Sequence, residues 1–262
     1  MRRRKPRGQN IVGIILIVLA LGVLSAFALA AVLLRAPPVD AETLCRTDQP
    51  IAAHTIILID STDRLEKRHR RHLEAIAAQE RARLTQYDRL TLMRLDWRHP
   101  QEPRVLFSKC LPRPPELANP LFENPRLAQQ HWDEAFADAM EQALRSAQSG
   151  GAGRASPILA GLRAVAADPT FARDIAHRRL VLVSDLLEHD PNGFSLYAPS
   201  ASYAAWRAHD PNGPADFSAV DIRVAMLDRP DDAARQADAR DHFWATYFDE
   251  SGAKTTTYDP AP

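Results

Sequence analysis

Glycine and cysteine are scarce in this 262-residue sequence, ten of one and two of the other, and no basic stripe crosses its body. Two cysteines exclude a disulfide-dense small scaffold, and ten glycines exclude collagen-like and glycine-linker chains. The formal charge is zero, but five of the 33 basic residues, Arg2, Arg3, Arg4, Lys5 and Arg7, lie in the first ten positions, which leaves 28 against 33 acids elsewhere. A body with an excess of acids and no basic stripe argues against nucleic acid as a partner, whose binding would rest on neutralising phosphates. Several catalytic signatures are also missing. Gly150-Gly151-Ala152-Gly153 lacks the Lys-Ser/Thr ending of a phosphate-binding loop, and neither a Gly-x-Ser-x-Gly elbow nor a His-Glu-x-x-His zinc helix occurs. What is present, 45% hydrophobic and 25% charged residues, is the composition of a folded chain.

The strongest local signal is Ile11 to Leu34, 24 residues without a charge, closed by Arg35 and Pro37-Pro38. As a helix it spans about 36 Å, enough to cross a bilayer core with some tilt. Cations cluster before it while Asp40 and Glu42 follow it, so the positive-inside rule predicts a cytoplasmic segment 1–10, a transmembrane helix 11–34 and an extracytoplasmic remainder. In a bacterial cell this is a single-pass inner-membrane protein with a periplasmic domain. Ala26-Phe27-Ala28 and Ala28-Leu29-Ala30 offer a competing reading as signal-peptide cleavage sites, but the apolar run continues through Val32-Leu33-Leu34, which favours an uncleaved signal anchor. Gly22, Ala26 and Ala30 would let two such helices pack into an oligomer, although small residues are common in membrane helices.

Beyond a linker at 35–50, the chain alternates strand and helix patterns from 51 to 262. His54-Thr55-Ile56-Ile57-Leu58-Ile59 reads as a strand buried on both faces, ended by Asp60-Ser61-Thr62-Asp63. A charged helix over 64–86 follows, then strands at 90–95 and 104–108 joined by a loop short enough for an antiparallel pair. A proline-rich loop from Leu111 to Pro125 leads to a helix with Trp132, Phe136, Met140 and Leu144 on one stripe. Ser156-Pro157 has the form of an N-cap and first turn, for a helix through Ile158 and Leu162. Leu180-Val181-Leu182-Val183 is a strand ending in Ser184-Asp185, the same design as at Asp60. Strands at 220–227 and 254–258 flank a last helix over 231–250. The sum is an α/β fold: a doubly wound, mostly parallel six-stranded sheet with one antiparallel edge strand, preceded by a single transmembrane helix.

An antiparallel third strand finishes at the end of the sheet where the first begins, which brings Cys110 towards Cys45. The two strands lie two places, about 10 Å, apart, and the eight residues between Cys45 and His54 give slack to close a disulfide, which an oxidising compartment permits. His189-Asp190-Pro191-Asn192-Gly193 recurs as His209-Asp210-Pro211-Asn212-Gly213 and reads as two turns.

Asp60, Thr62, Ser156 and Asp185, in that order of elements, resemble the von Willebrand factor A domain family, whose first strand ends in Asp-x-Ser-x-Ser. There, a hydroxyl residue opens a later helix and the fourth strand ends in an acid. The resemblance implies a metal-ion-dependent adhesion site in which Asp60, Thr62, Ser156 and Asp185 hold Mg²⁺ at the carboxyl edge of the sheet, with Ser61 beside them. Hard oxygen donors suit that ion. The sequence departs at Arg64, which takes the third hydroxyl position, and at Leu186, where a glycine often follows the acid. An inward Arg64 would pair with Asp60 or Asp185 and replace the metal, whereas an Arg64 pointing away along its helix would leave the four oxygen-bearing residues for one ion. The implied function is binding of another protein, envelope-associated, by a membrane-anchored scaffold or assembly module with a degenerate adhesion site. The alternative is a divalent-metal-dependent hydrolase of phosphoester or envelope substrates using Asp60 and Asp185. A haloacid-dehalogenase-type phosphatase is disfavoured because it needs an acid where Thr62 stands.

Overall fold

Four consecutive aliphatic residues, Ile56 to Ile59, are fully buried in the first strand, β1 (Ala53–Ile59), because each face of the sheet is covered by helices. The computed structural model describes residues 7–33, 37–117, 124–151 and 153–259. The chain divides into two compact units, Met1–Pro38 and Val39–Pro262.

The first unit contains helix α1 (Arg7–Leu33), within which Val12–Leu29 has a mean hydropathy of 2.9 and is long and apolar enough to cross a membrane. The basic residues Arg2, Arg3, Arg4 and Lys5, on which the expected orientation rests, lie outside the described residues.

The second unit is a six-stranded sheet. After β1 come helix α2 (Lys67–Arg83), β2 (Arg89–Arg94) and β3 (Arg104–Cys110). Helices α3 (Pro125–Trp132) and α4 (Asp138–Gln148) run through a π-helical turn at Asp133–Ala137. Then follow α5 (Ile158–Ala167), β4 (His177–Ser184), α6 (Tyr203–His209) and β5 (Val220–Met226). Helices α7 (Ala233–Asp238) and α8 (Ala245–Glu250), again joined by a π turn, and β6 (Thr255–Asp259) complete the chain. The order is β3-β2-β1-β4-β5-β6, parallel throughout except for the β2–β3 pair. This is the doubly wound sheet with an antiparallel edge that the sequence predicts. A stripe spaced by four residues runs ahead of the 3.6-residue helical turn, and the wider π turn takes up part of that drift, so Phe136 and Met140 both reach the core. Of the proline-rich loop, positions 118–123 lie outside the described residues, and Pro115–Leu117 is a short 3-10 turn.

Period-two alternation sorts β1 between two cores. Ile56 and Leu58 pack with α5, α6 and the C-terminal helices, whereas Ile57 and Ile59 pack with α2 and α4. The expected disulfide is present: Cys45 and Cys110 are bonded with their Cα atoms 4.9 Å apart. It ties the segment after Val39 to the sheet, together with the Cys110 amide, which donates to the Thr43 carbonyl at 2.8 Å. The charged run Lys67 to His72 is not uniformly solvated, since His69 is buried and its ring meets Asp228 at 3.0 Å.

Candidate functional site

Parallel pairing places Ile59 beside Val183, so the chain leaves β1 and β4 at adjacent points, and Asp60 and Asp185 emerge at the carboxyl edge of the sheet. Both are 5% exposed. A carboxylate at that depth needs donors, and Asp60 has four. Its Oδ1 accepts from the Thr62 hydroxyl (2.7 Å) and amide (3.2 Å), and its Oδ2 accepts from the hydroxyls of Ser156 (2.8 Å) and Ser184 (2.9 Å). Three residues named from the sequence, Asp60, Thr62 and Ser156, therefore meet through hydrogen bonds. Ser184 joins them unforeseen, although a lone hydroxyl closing the apolar run Leu180–Val183 was a legible signal.

Ser156 does not cap α5 as expected. Its backbone forms a two-bond bridge with His189, with N···O distances of 2.8 and 3.0 Å, which turns its hydroxyl to Asp60. The helix is capped instead by Glu188, whose Oε2 accepts from the Leu159 amide at 2.8 Å. Glu188 is buried, and that burial pushes its carboxyl up to about 8 against the pull of the Leu159 and Ile158 amides.

Asp185 is satisfied differently. Its Oδ1 accepts from the Leu187 amide (3.0 Å), and its Oδ2 accepts from Nε of Arg229 (2.9 Å), whose Nη2 also donates to Asp63 (2.9 Å). Burial, then the nearby charge of Asp60, pushes the Asp185 carboxyl upward, and Arg229 opposes this. Leu186, where the family often has glycine, adopts the left-handed conformation with φ 63°. A non-glycine residue there costs on the order of 1 kcal/mol. The leucine is retained with its side chain fully buried in the core, its amide bonded to the Ser184 hydroxyl (3.0 Å) and its carbonyl bonded to the Trp244 indole (2.7 Å).

Arg64, expected to decide the state of the site from within, is exposed and makes no ion pair among the described residues. The guanidinium that meets Asp185 comes from Arg229, on the loop after β5. Ser61 is buried with its hydroxyl unpartnered among the described residues, and it faces the glycine-rich loop. A Cβ at Gly150 would fall 2.0 Å from the Ser61 carbonyl oxygen, so only glycine fits there. That loop is thus shaped to pack against the Asp60 turn, and the Gly153 amide donates to the Thr62 carbonyl at 2.8 Å.

A cleft of about 320 Å³ opens over the cluster, lined by Thr62, Asp63, Ser156, Asp185, His189 and Tyr197 among others. Whether Mg²⁺ fits here is decided by the donor set. All four oxygens of Asp60 and Asp185 already accept hydrogen bonds, one of them from a cation. A divalent ion about 4 Å from that guanidinium would meet a repulsion on the order of 8 kcal/mol at an effective dielectric of 20. No group of three or more His, Cys, Asp or Glu side chains able to hold a metal occurs among the described residues. The residues as arranged do not fit the ion.

No protein-family model and no curated protein sequence matches the chain. Among solved structures it is similar to proximal thread matrix protein 1 from the mussel byssus (11% identity over 81% of this chain and 44% of that one, TM-score 0.41). It is also similar to a von Willebrand factor type A protein from Catenulispora acidiphila (14% identity, 81% and 39%, TM-score 0.36). A third likeness is to an aerotolerance-related membrane protein from Bacteroides fragilis NCTC 9343 carrying multiple mutations to serines (12% identity, 68% and 69%, TM-score 0.30). The chain spans less than half the length of the first two. The mostly parallel six-stranded sheet with one antiparallel edge strand agrees with the resemblance to von Willebrand factor A domains, and the likeness is one of fold.

Proposed function

We propose that this chain is a single-pass, membrane-anchored protein-binding module whose docking surface is the cleft over Asp60, Thr62, Ser156 and Asp185. The observation that carries this reading is the hydroxyl and guanidinium network holding two buried acids at the mouth of a cleft, at the strand ends where open α/β sheets bind ligands. Asp185 lines that cleft together with Thr62 and Ser156, and Asp60 lies behind their hydroxyls. The partner is an envelope-associated protein, and the module serves as a scaffold or assembly component and not as a catalyst. The N-terminus faces the cytoplasm and the domain lies outside the inner membrane, in an oxidising compartment that keeps Cys45 and Cys110 paired.

Two experiments test this. Protease added outside intact spheroplasts should digest the domain and spare an N-terminal tag; a protected domain overturns the orientation, and a soluble fragment starting near residue 29 or 31 establishes cleavage of the anchor. In-cell photocrosslinking from Tyr197 should trap a discrete envelope partner in wild type, and Asp60→Ala should lose it while the variant still melts cooperatively. Retention of the same crosslink in a folded Asp60→Ala protein overturns the assignment of the surface.

A further inference from the structure

Arg229 reaches the acids from a position that several independent contacts fix. Its backbone amide donates to Oε1 of Gln236 at 2.7 Å. The amide nitrogen of Gln236, a buried residue on α7, donates in turn to the carbonyls of Asp185 (2.9 Å) and Leu227 (2.8 Å). Gln236 thereby ties the loop that carries Arg229 to the strand end that carries Asp185. The side chain completes the arrangement with Nε on Asp185 and Nη2 on Asp63, both at 2.9 Å. A guanidinium presents its donors in a planar fork and cannot be neutralised at physiological pH. Burial acts against its charge, and Asp185, Asp63 and Asp60 together outweigh this and hold it protonated.

We infer that Arg229 is the resident cation of this cleft, and that it screens a latent divalent-ion site made of Asp60, Thr62, Ser156 and Asp185. Gln236 is a positioning residue: it touches none of the site carboxylates and acts by fixing where Arg229 leaves the backbone. The consequence is a binding surface indifferent to chelators and to the local supply of divalent ions. This inference rests on the geometry of the site alone, so it can fail while the protein-binding reading stands, and the reverse.

The test is Mn²⁺ binding to the full-length protein in detergent micelles, read by the loss of the free-ion electron paramagnetic resonance signal, with Mg²⁺ titrated by calorimetry alongside. Wild type should bind neither ion, and Arg229→Lys, which keeps a cation in place, should behave alike. Arg229→Met, which keeps the apolar stem and removes the charge, should bind Mn²⁺ at least roughly tenfold more tightly than the detection limit that wild type sets. Substituting Asp60 by Ala in that background should abolish the gain. Where Arg229→Met does not melt cooperatively, Arg229→Gln carries the same test, because its amide can still donate to Asp185. Mn²⁺ binding by wild type that Asp60→Ala removes overturns the inference, as does a folded charge-removing variant that binds no better than wild type.

Discussion

Two groups of buried acids in this domain are held by arginine, and they are held in opposite ways. On the α2 side of the sheet, Glu80 is fully buried and served by two guanidiniums, Arg179 through Nε (2.8 Å) and Nη2 (3.2 Å) and Arg223 through Nη1 (2.7 Å). Arg223 continues to Asp259 on β6, so the ions close a knot between α2, β4, β5 and β6. At the carboxyl edge, one guanidinium serves both Asp185 and Asp63, and hydroxyls serve Asp60. The first arrangement meets both oxygens of Glu80 with guanidinium donors. In the second, neutral donors that can rotate away stand beneath a cavity. Charge-for-charge closure ties the elements together, whereas under the proposed function hydroxyl closure next to a single shared cation would let the carboxyl edge rearrange on binding.

The largest effect that separates them is on stability. Glu80→Ala leaves two arginines facing a vacated acid position and should cost about 3–5 kcal/mol in chemical denaturation; a loss well below this would mean that water relieves the knot and the contrast fails. Next comes the pH dependence of Glu188. Its carboxyl titrates at about 8 when folded against 4.5 ordinarily, so the folded state holds a proton that the unfolded chain has released. That contribution is complete below the ordinary value and is lost as pH rises through the folded one, with a slope of at most roughly 1.4 kcal/mol per pH unit. Glu188→Gln should therefore show a flatter decline in melting temperature across this window, and an unchanged profile would reject the assignment. A smaller cost, about 1–3 kcal/mol, is expected of Asp60→Asn, whose new amide hydrogens disturb a shell made of donors. Thermal melts beside Glu80→Ala give the ranking directly, and a reversed order would break the comparison. Least of all, Arg64→Ser should leave stability within about 0.5 kcal/mol and create no Mn²⁺ site, because Arg229 remains in place.

The strands were legible because burial on both faces demands unbroken aliphatic runs such as Ile56–Ile59 and Leu180–Val183, a constraint written residue by residue. The Cys45–Cys110 bridge followed from the direction of one edge strand. Asp60 and Asp185 were legible as acids ending such runs, and Ser156 was legible as a hydroxyl before a helix, but not in its role. Its hydroxyl belongs to Asp60 because the His189 bridge turns it, and that bridge spans more than thirty residues.

What the sequence by itself determined is the pattern of local demands: an apolar span at the front, six strand segments, their order of direction, and which acids stand at strand ends. What only the tertiary structure decided is who answers those acids. Arg64 is four residues from Asp60 and was the natural candidate, yet the side chain that reaches Asp185 is Arg229, 44 residues further along the chain from it. β5 lies beside β4 and delivers that loop to the same edge, where Gln236 holds it in place. Periodicity reports how deeply a residue is buried. It carries no information on which distant donor will meet a buried charge, because that pairing is set by strand adjacency and loop path.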